Sequence, residues 1–346
     1  MIAALALCAA LTPPVRVDRR VAAMGTALDV SVVAEDRARG LEASEIVVQE
    51  MRRIEDLLTT WRQSPLSRLN DASVNEEVAV GQEIATVLAE VLRWAGRTDR
   101  AFDPTVAPLM RAWDLRGAGR VPSPEQLASA VAATGPEHFR IDAARGRAAR
   151  LNGAAGIDEG AWGKGYALDR AAQRLAQAGV ANALIDLGGQ TLALGTDDSA
   201  GRWTISIAHP RERERPVVAL SLTNLSVSTS GNSERGRTIA GRRIGHELTP
   251  RTGEPAPDFG SATVIAPSAL IADILSTAFF VLGPSKGLAL SDRLRREGVA
   301  QDVLFLIDRG DHLEAIASPG LLDHVLSADP TIVRGLTTHS PATPSP

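Results

Sequence analysis

The sequence predicts an α+β fold with mixed, mainly antiparallel sheets and packed helices. Segments with the two-residue period of strands alternate with segments of helical period, and there is no internal repeat. Two apolar runs flank the polar turn 308–312, a pattern that predicts a hairpin. No linker divides the 346 residues, 44% of which are hydrophobic, so we expect one large core or two closely joined lobes.

The first half of the chain is predicted to supply a strand and three helices. Apolar and polar residues alternate over 28–32, as in a half-buried strand. Apolar residues then recur at helical spacing over 47–61 and again over 84–92. A third helix is expected over 166–175 and should stop near Gly179.

The second half continues the alternation of strands and helices. A strand is predicted over 183–187, where it runs into a Gly-Gly pair. A further strand over 262–266 leads into Pro267 and Ser268, which are typical of a helix start, and the helix carries the apolar residues of 271–282. The hairpin over 303–317 completes the predicted fold.

The net charge of −4 comes from interspersed acidic and basic residues. This pattern offers no electrostatic footprint for nucleic acid and no polybasic patch for a membrane surface. We therefore expect no nucleic-acid partner, and any anionic ligand must be held by local groups.

The two termini are predicted to lie outside the folded domain, which we place at 15–335. The apolar run 1–11 is too short to span a bilayer, and it resembles a secretory or lipoprotein leader within 1–14, although an ordinary frayed terminus remains the alternative. Cys8 is the only cysteine, so an intramolecular disulfide and a Cys-based metal cluster are excluded. The Ser-, Thr- and Pro-rich stretch 336–346 predicts a disordered tail.

A glycine-rich segment, 157–166, precedes the third predicted helix. Glycine lets the backbone approach a ligand closely, and free N–H groups at a helix start suit a phosphate. The spacing matches neither the dinucleotide fingerprint nor the P-loop, so an ordinary turn is the simpler explanation of this segment alone.

A carboxylate and a hydroxyl share one face of the predicted helix 271–282. Asp273 and Thr277 are four residues apart, so a hard cation could take both oxygens. One carboxylate provides too few ligands for a metal ion. These residues alone therefore favour a solvated Asp and a Thr whose hydroxyl forms a hydrogen bond with the backbone of its own helix.

A single histidine, His246, enters the turn-forming stretch 245–253. It could donate to a phosphate or transfer a proton at neutral pH, although a lone loop histidine usually does neither.

The Pro-stiffened loop 101–109 combines Phe102 with Asp103. Such a carboxylate could hydrogen-bond the edge of a heterocycle beside a stacking ring. An Asp-Pro turn explains the same residues.

Taken in order along the chain, these motifs resemble the FAD:protein FMN transferases, the ApbE-type flavin transferases. The resemblance covers about residues 20–320, and ordered matches are far more specific than any one motif. The matching segments are 24–26, 60–70, 102–105, 158–166, 188–189, 229–231, 246–253 and 272–277. The resemblance implies an ApbE-like fold with FAD in a cleft between two lobes.

The resemblance also implies a Mg²⁺ site. Its ligands are the backbone carbonyl of Ala161 and the side chains of Asp273 and Thr277, with Ser276 as a neighbour or weak ligand. The FAD phosphates and water would complete the shell, as Mg²⁺ generally prefers.

A set of FAD contacts follows from the same matches. Trp61 stands where the family often has Tyr, and it keeps a stacking face. Lys164 is expected to pair with a phosphate oxygen, and His246 to donate or transfer a proton beside the pyrophosphate. The implied FAD contacts are Met24, Trp61, Ala101, Phe102, Asp103, Asp158, Lys164 and His246.

The implied activity is Mg²⁺-dependent transfer of FMN from FAD to a Ser or Thr hydroxyl of a client protein, with release of AMP. His246 and Asp273 are the candidate catalytic residues, and the identity of the general base stays open. Two alternatives remain: a Mg²⁺-dependent FAD pyrophosphatase that gives FMN and AMP, and a noncatalytic FAD-storage protein.

The resemblance to the family further implies a class of client protein and a location. Clients are membrane electron-transfer subunits or flavin-carrying reductases. The chain is expected to be exported, in the periplasm or anchored at the outer face of a membrane through its leader only, with the cytoplasm as the alternative.

Two residues depart from the family pattern: Glu159, which replaces an apolar or small residue, and Trp162, which is bulky beside Ala161.

Overall fold

The structure is a computed structural model that describes residues 13–197, 201–232, 237–239 and 241–336. Residues 1–12 of the predicted leader, including Cys8, and residues 337–346 of the predicted tail lie outside the described ranges.

Helices and strands alternate along the described chain. The α-helices are α1 (Arg37–Leu58), α2 (Pro65–Asp71), α3 (Gln82–Arg97), α4 (Ala107–Ala112), α5 (Pro124–Ala132), α6 (Gly163–Gln177) and α7 (Ala269–Arg296). The strands are β1 (Val15–Ala23), β2 (Thr26–Ala34), β3 (Val78–Ala79), β4 (Phe139–Asp142), β5 (Arg147–Arg150), β6 (Asn182–Leu187), β7 (Gln190–Leu194), β8 (Trp203–Ala208), β9 (Pro216–Leu222), β10 (Leu225–Gly231), β11 (Arg237–Ile239), β12 (Arg242–Ile244), β13 (Gly260–Ala266), β14 (Asp302–Asp308), β15 (Leu313–Ala317), β16 (Val325–Ala328) and β17 (Val333–Arg334). Short 3₁₀ turns occur at Pro136–His138 and Pro319–His324.

A nine-stranded sheet forms the centre of the fold. Its strand order is β1-β2-β6-β7-β10-β13-β14-β15-β17, and its neighbouring strands are antiparallel except for the parallel pair β15 and β17. Three smaller sheets accompany it, with the orders β16-β9-β8, β3-β5-β4 and β11-β12. The predicted α+β class with mainly antiparallel sheets is confirmed.

The central sheet is covered on both faces. Apolar side chains of α1, α3, α6 and α7 pack with one another and with the sheet into the larger buried cluster. A second cluster joins the sheet to β8 and β9 through residues such as Trp203 and Leu220. Burial of the apolar side chains on both faces supplies the main stabilisation of the fold, at about 25 cal/mol per Å² of apolar surface removed from water.

The predicted elements are confirmed along the chain, with one boundary wrong. The predicted strands correspond to β2, β6, β13, β14 and β15, and the predicted helices to α1, α3, α6 and α7. Helix α1, however, ends at Leu58, before Trp61. Ser64 begins α2 with a reciprocal capping box to Ser67, so the residues between the two helices form a loop and Trp61 is 72% exposed.

Helix α7 is long and apolar enough, by length and composition, to span a membrane. Most of that apolar window is buried inside the fold, which is typical of a core helix. Gly283, with a φ of 74°, interrupts its helical backbone directly before Pro284.

Helices α6 and α7 cross at unusually short range. The backbone of α7 lies so close to Gly165 that a Cβ there would be 2.3 Å from the carbonyl oxygen of Ala269. Asp169 of α6 accepts hydrogen bonds from Ser268 Oγ (2.6 Å) and from the backbone N–H groups of Ala269 (2.7 Å) and Leu270 (3.1 Å). The carboxylate therefore caps α7 and fixes its start against α6.

Replacement of this cap should destabilise the protein. Asp169→Ala leaves buried N–H groups at the start of α7 without an acceptor, so we expect the free energy of unfolding to fall by about 1–3 kcal/mol. Urea unfolding measures the change. Asp292→Ala is the control, because Asp292 is an exposed α7 residue paired with Arg295, and its effect should stay within about 0.5 kcal/mol. Equal effects of the two substitutions would contradict the capping role.

Candidate active site

A single cleft of about 990 Å³ collects the residues that the sequence analysis selected. It is lined by the β1–β2 turn, the α1–α2 loop, the segment 158–164, strand β8 and the helical face of α7 that carries Asp273 and Thr277. All predicted site residues except Ser276 line it. Those that do are Met24, Trp61, Ala101, Phe102, Asp103, Asp158, Ala161, Lys164, His246, Asp273 and Thr277.

Asp273 is a buried carboxylate of the cleft, only 4% exposed. Its Oδ2 accepts a hydrogen bond from the backbone N–H of Gly165 at 3.0 Å. Burial raises the pKa of Asp273, and the nearby ammonium of Lys164 acts in the opposite direction. A buried carboxylate of this kind is stabilised in its charged form by a cation.

The donor chemistry around Asp273 fits Mg²⁺. Asp273, the Thr277 hydroxyl one turn later and the Ala161 carbonyl are hard oxygen donors that line the same cleft. Within the described ranges, there is no group of three or more His, Cys, Asp or Glu residues that could hold a metal ion. A cation at Asp273 would therefore need further oxygens from phosphate or water, which is the usual way in which proteins bind Mg²⁺.

Ser276 lies behind the cleft rather than on its surface. Its hydroxyl donates to the Asp273 carbonyl at 3.0 Å and lies 3.1 Å from the hydroxyls of both Ser228 and Ser230. Ser276 thus joins α7 to β10, and in this arrangement it supports the two residues that face the cleft.

The start of α6 and His246 supply groups suited to a phosphate. Lys164 is in the first turn of α6, which has no side-chain N-cap. His246 Nε2 lies 3.3 Å from Glu247 Oε1, whereas its Nδ1 is buried and has no hydrogen-bond partner among the described residues. The residue lines the cleft, so its imidazole is close enough to take part in binding a ligand there.

The other part of the cleft presents an aromatic face. Trp61 is the exposed ring, whereas Phe102 is 1% exposed and its ring belongs to the core. Asp103 is buried, and its carboxylate accepts from the N–H and hydroxyl of Thr105 and from Arg100 Nε. The carboxylate therefore fixes its own loop, as expected for the Asp-Pro turn, and its contact with a flavin stays a prediction.

The two departures from the family pattern have different surroundings. Trp162 is fully buried, and its Nε1 donates to the carbonyl of Asp158 at 2.8 Å, so its bulk lies in the core. Glu159 lines the cleft, where burial and the adjacent Asp158 raise its pKa to about 7 and Arg116 opposes that rise.

Glu55 and Arg116 are among the charged residues of the cleft wall that the sequence did not point to. Glu55 Oε2 accepts from the N–H of Met24 at 3.0 Å and so holds the β1–β2 turn, where Met24 has the left-handed φ of 49°. Arg116 lies between Trp61 and the carboxylates of Asp158 and Glu159. Neither belongs to a recognisable motif, because each acts through a contact with a residue distant in sequence.

The close crossing of α6 and α7 gives a prediction for the site. Gly165→Ala would push a Cβ against the backbone of Ala269, which cannot move aside as a side-chain end can. We expect a loss of about 1–3 kcal/mol in the free energy of unfolding, together with weaker ligand binding, because Lys164 and Asp273 are displaced relative to each other.

Gly96→Ala is the matched control, since a Cβ at this helical glycine meets no atom within 4 Å. It should be neutral or stabilising by up to about 1 kcal/mol. Thermal unfolding and ligand titration of both variants measure these effects, and a Gly165→Ala protein that behaves like Gly96→Ala would show that the crossing is not tight.

Comparison with known proteins places the chain among flavin transferases. Residues 24–300 match the model of the ApbE family. The FAD:protein FMN transferase of Salmonella typhimurium is 32% identical over 304 residues, which cover 86% of this chain and 85% of that protein. The FAD:protein FMN transferase of Escherichia coli K12 is 30% identical over 312 residues, with 88% of each chain covered.

Solved structures give the same result. The ApbE protein of Thermotoga maritima has a TM-score of 0.79 at 31% identity and covers 88% of this chain and 97% of its own. The flavin transferase ApbE from Vibrio cholerae has a TM-score of 0.78 at 26% identity and covers 90% of this chain and all of its own. With the family model and these relatives matched over most of their lengths, the chain belongs to the ApbE family.

Proposed function

We propose that this chain is a Mg²⁺-dependent FAD:protein FMN transferase. It cleaves the pyrophosphate of FAD, attaches FMN through a phosphodiester bond to a Ser or Thr hydroxyl of a client protein and releases AMP. One observation carries the proposal: Trp61, Lys164, His246 and Asp273 line the same cleft. The names of the relatives support the same activity.

The size and chemistry of the cleft suit FAD. A volume of about 990 Å³ is at the upper end of ligand pockets, as a dinucleotide requires. Trp61 offers a stacking face for the flavin ring, and Lys164 with the start of α6 offers positive charge for the pyrophosphate.

Asp273, Thr277 and the carbonyl of Ala161 would hold Mg²⁺, with Ser276 behind them. When bound, Mg²⁺ would draw charge from the phosphate oxygens and favour displacement at phosphorus. Lys164 contributes positive charge from the protein itself, and its ammonium opposes the rise in the pKa of Asp273 that burial causes.

The transfer exchanges one phosphorus–oxygen bond for another. The client hydroxyl forms a bond to the FMN phosphorus, the bond from that phosphorus to the bridging oxygen breaks, and AMP departs with that oxygen. The proton of the hydroxyl goes to a base, for which His246, whose side chain lines the cleft, is the first candidate. Asp273 is the second candidate base, but it serves less well as a base when its oxygens hold a cation.

For the client, the resemblance to the family favours a membrane electron-transfer subunit or a flavin-carrying reductase. For the location, the apolar run 1–11 favours export to the periplasm or the outer face of a membrane, with the cytoplasm as the alternative. Membrane association would then depend on the leader alone.

Transfer is tested with purified protein, FAD and Mg²⁺, in the presence or absence of a client domain that carries the acceptor hydroxyl. Mass spectrometry of the client and chromatography of the nucleotides measure the products. We expect the client to gain the mass of FMN and AMP to appear in equal amount, only with Mg²⁺. A client whose acceptor Ser or Thr is replaced by Ala is the control and should stay unmodified.

The alternatives give different products in the same assay. AMP and free FMN without client modification would identify the protein as a pyrophosphatase. Bound but uncleaved FAD would identify a storage protein. Either result, obtained with a client that a relative modifies in parallel, would contradict the transferase proposal.

Asp273→Asn tests the metal site with minimal change in shape. We expect Mg²⁺-dependent turnover to fall by about 100-fold or more, because phosphate charge stabilisation by the cation is worth several kcal/mol. FAD binding measured without metal should be retained in part. Asp292→Asn, on the exposed face of the same helix, should leave turnover unchanged. Full turnover of Asp273→Asn would remove Asp273 from the metal site.

A further inference from the structure

Arg116 joins three separate segments of the cleft wall. Its guanidinium donates to Asp158 Oδ2 at 2.5 Å, lies 3.5 Å from Glu159 Oε2 and donates to the hydroxyl of Thr60. The same group lies over the ring of Trp61, 4.9 Å from its centroid. One side chain thereby connects the loop after α4, the α1–α2 loop and the segment before α6.

Trp61 has little other support. It lies beyond the end of α1, most of its surface is exposed, and its backbone N–H donates only weakly, to Thr59 Oγ1 at 3.3 Å. A ring this exposed is not held in place by packing. The guanidinium of Arg116 lies against its face and favours one orientation of the ring.

The acidic pair below Trp61 also depends on Arg116. Asp158 and Glu159 are adjacent and largely buried, and Thr60 donates to both Glu159 oxygens at 3.2 Å. Within the described residues, Arg116 is the basic side chain that forms an ion pair with either carboxylate. Two buried carboxylates repel each other without such a cation.

We propose that Arg116 is a positioning residue that shapes the end of the cleft that receives the flavin ring, by holding Trp61 and the Asp158–Glu159 pair in one fixed arrangement. The proposal rests on the proposed function, because it assigns the ring of FAD to this end. Arg116 thereby affects the recognition of the flavin ring and not that of the phosphates.

The charges explain why Arg116 does not serve as a phosphate ligand. Its guanidinium already forms ion pairs with the carboxylates of Asp158 and Glu159, so it is engaged by the protein before a ligand binds. Lys164 lies beside Asp273 instead, at the part of the cleft assigned to the pyrophosphate. Replacement of Arg116 should therefore have little effect on the affinity for a ligand that lacks the flavin ring.

The test compares FAD with ADP-ribose, which has the adenosine and pyrophosphate but no flavin ring. Binding of each is measured by calorimetry without metal, so that FAD is not consumed. We expect Arg116→Met to weaken FAD binding by about tenfold, the combined size of a cation–π contact and a partly exposed ion pair, and to change ADP-ribose binding less than about twofold.

Two further variants sharpen the comparison. Arg116→Lys keeps the charge but loses the planar fork, so it should restore only part of the FAD affinity. Arg62→Met is the matched control: Arg62 is in the same loop as Trp61, is exposed and pairs with Asp56, and its loss should leave both ligands unaffected. Arg116→Lys also carries the comparison if Arg116→Met does not fold.

If Arg116 acts through Trp61, the effects of substitutions at the two residues on FAD binding should not be additive. In a Trp61→Ala background, Arg116→Met should weaken FAD binding by less than about threefold, because the contact with the ring is already absent and only the ion pairs with Asp158 and Glu159 are lost. In the transfer assay with wild-type Trp61, the KM for FAD should rise more than kcat falls, as expected for loss of binding shared by ground and transition states.

Several results would overturn the proposal. Unchanged FAD affinity in both Arg116 variants would show that the contacts do not matter for the ring. Equal weakening of FAD and ADP-ribose would place Arg116 at the phosphates or in general stability. A wild-type protein that binds ADP-ribose but not FAD would contradict the assignment of the ring to this end. A wild-type protein that binds neither ligand would contradict the proposed function itself.

Discussion

The short crossing of α6 and α7 is the constraint on which the site depends. Gly165 allows the two backbones to approach, its N–H binds Asp273, and Asp169 fixes the start of α7 on α6. The crossing brings Lys164, at the beginning of one helix, to Asp273 in the second turn of the other. The proposed metal ligand Asp273 and the proposed phosphate partner Lys164 thus come from segments more than a hundred residues apart.

Buried carboxylates of the cleft lie close to basic side chains. The ammonium of Lys164 opposes the rise in the pKa of Asp273 that burial causes, and Arg116 forms ion pairs with Asp158 and Glu159. Such charges cost free energy when they are buried, and partners reduce that cost without removing it. The arrangement leaves two regions of different character: one with hard oxygens and an ammonium, suited to a metal and phosphates, and one with an exposed indole, suited to a flat ring.

The sequence allowed the fold class to be predicted because strand and helix periods are local properties. Alternation in β2 and helical spacing in α3 and α6 require no knowledge of distant contacts. Trp61 was misplaced by the same logic: its spacing continued that of α1, but the capping box of Ser64 and Ser67 begins a new helix and leaves a loop between the two. Between α1 and α2, the capping box therefore determines where the helix begins, and the apolar spacing does not.

The site was predictable only through the order of its motifs. Asp273 and Thr277 alone favoured a solvated face, and the structure places them in the cleft because α7 is packed against α6 and β10. Arg116 and Glu55 could not be found, because their partners are 42 or more and 31 residues away in sequence. The engagement of Asp103 by Thr105 and Arg100 is local by contrast, and it agrees with the Asp-Pro turn that the sequence offered as the alternative.

The central claim is that one cleft binds FAD and a divalent cation, with the cation at Asp273. The most direct measurement is a crystal structure of the protein with FAD and Mn²⁺ in place of Mg²⁺, in which anomalous scattering locates the metal. The account predicts an anomalous peak within bonding distance of Asp273, Thr277 and the carbonyl of Ala161, next to the pyrophosphate of a FAD whose ring lies on Trp61. A peak elsewhere, or FAD bound outside this cleft, would contradict it.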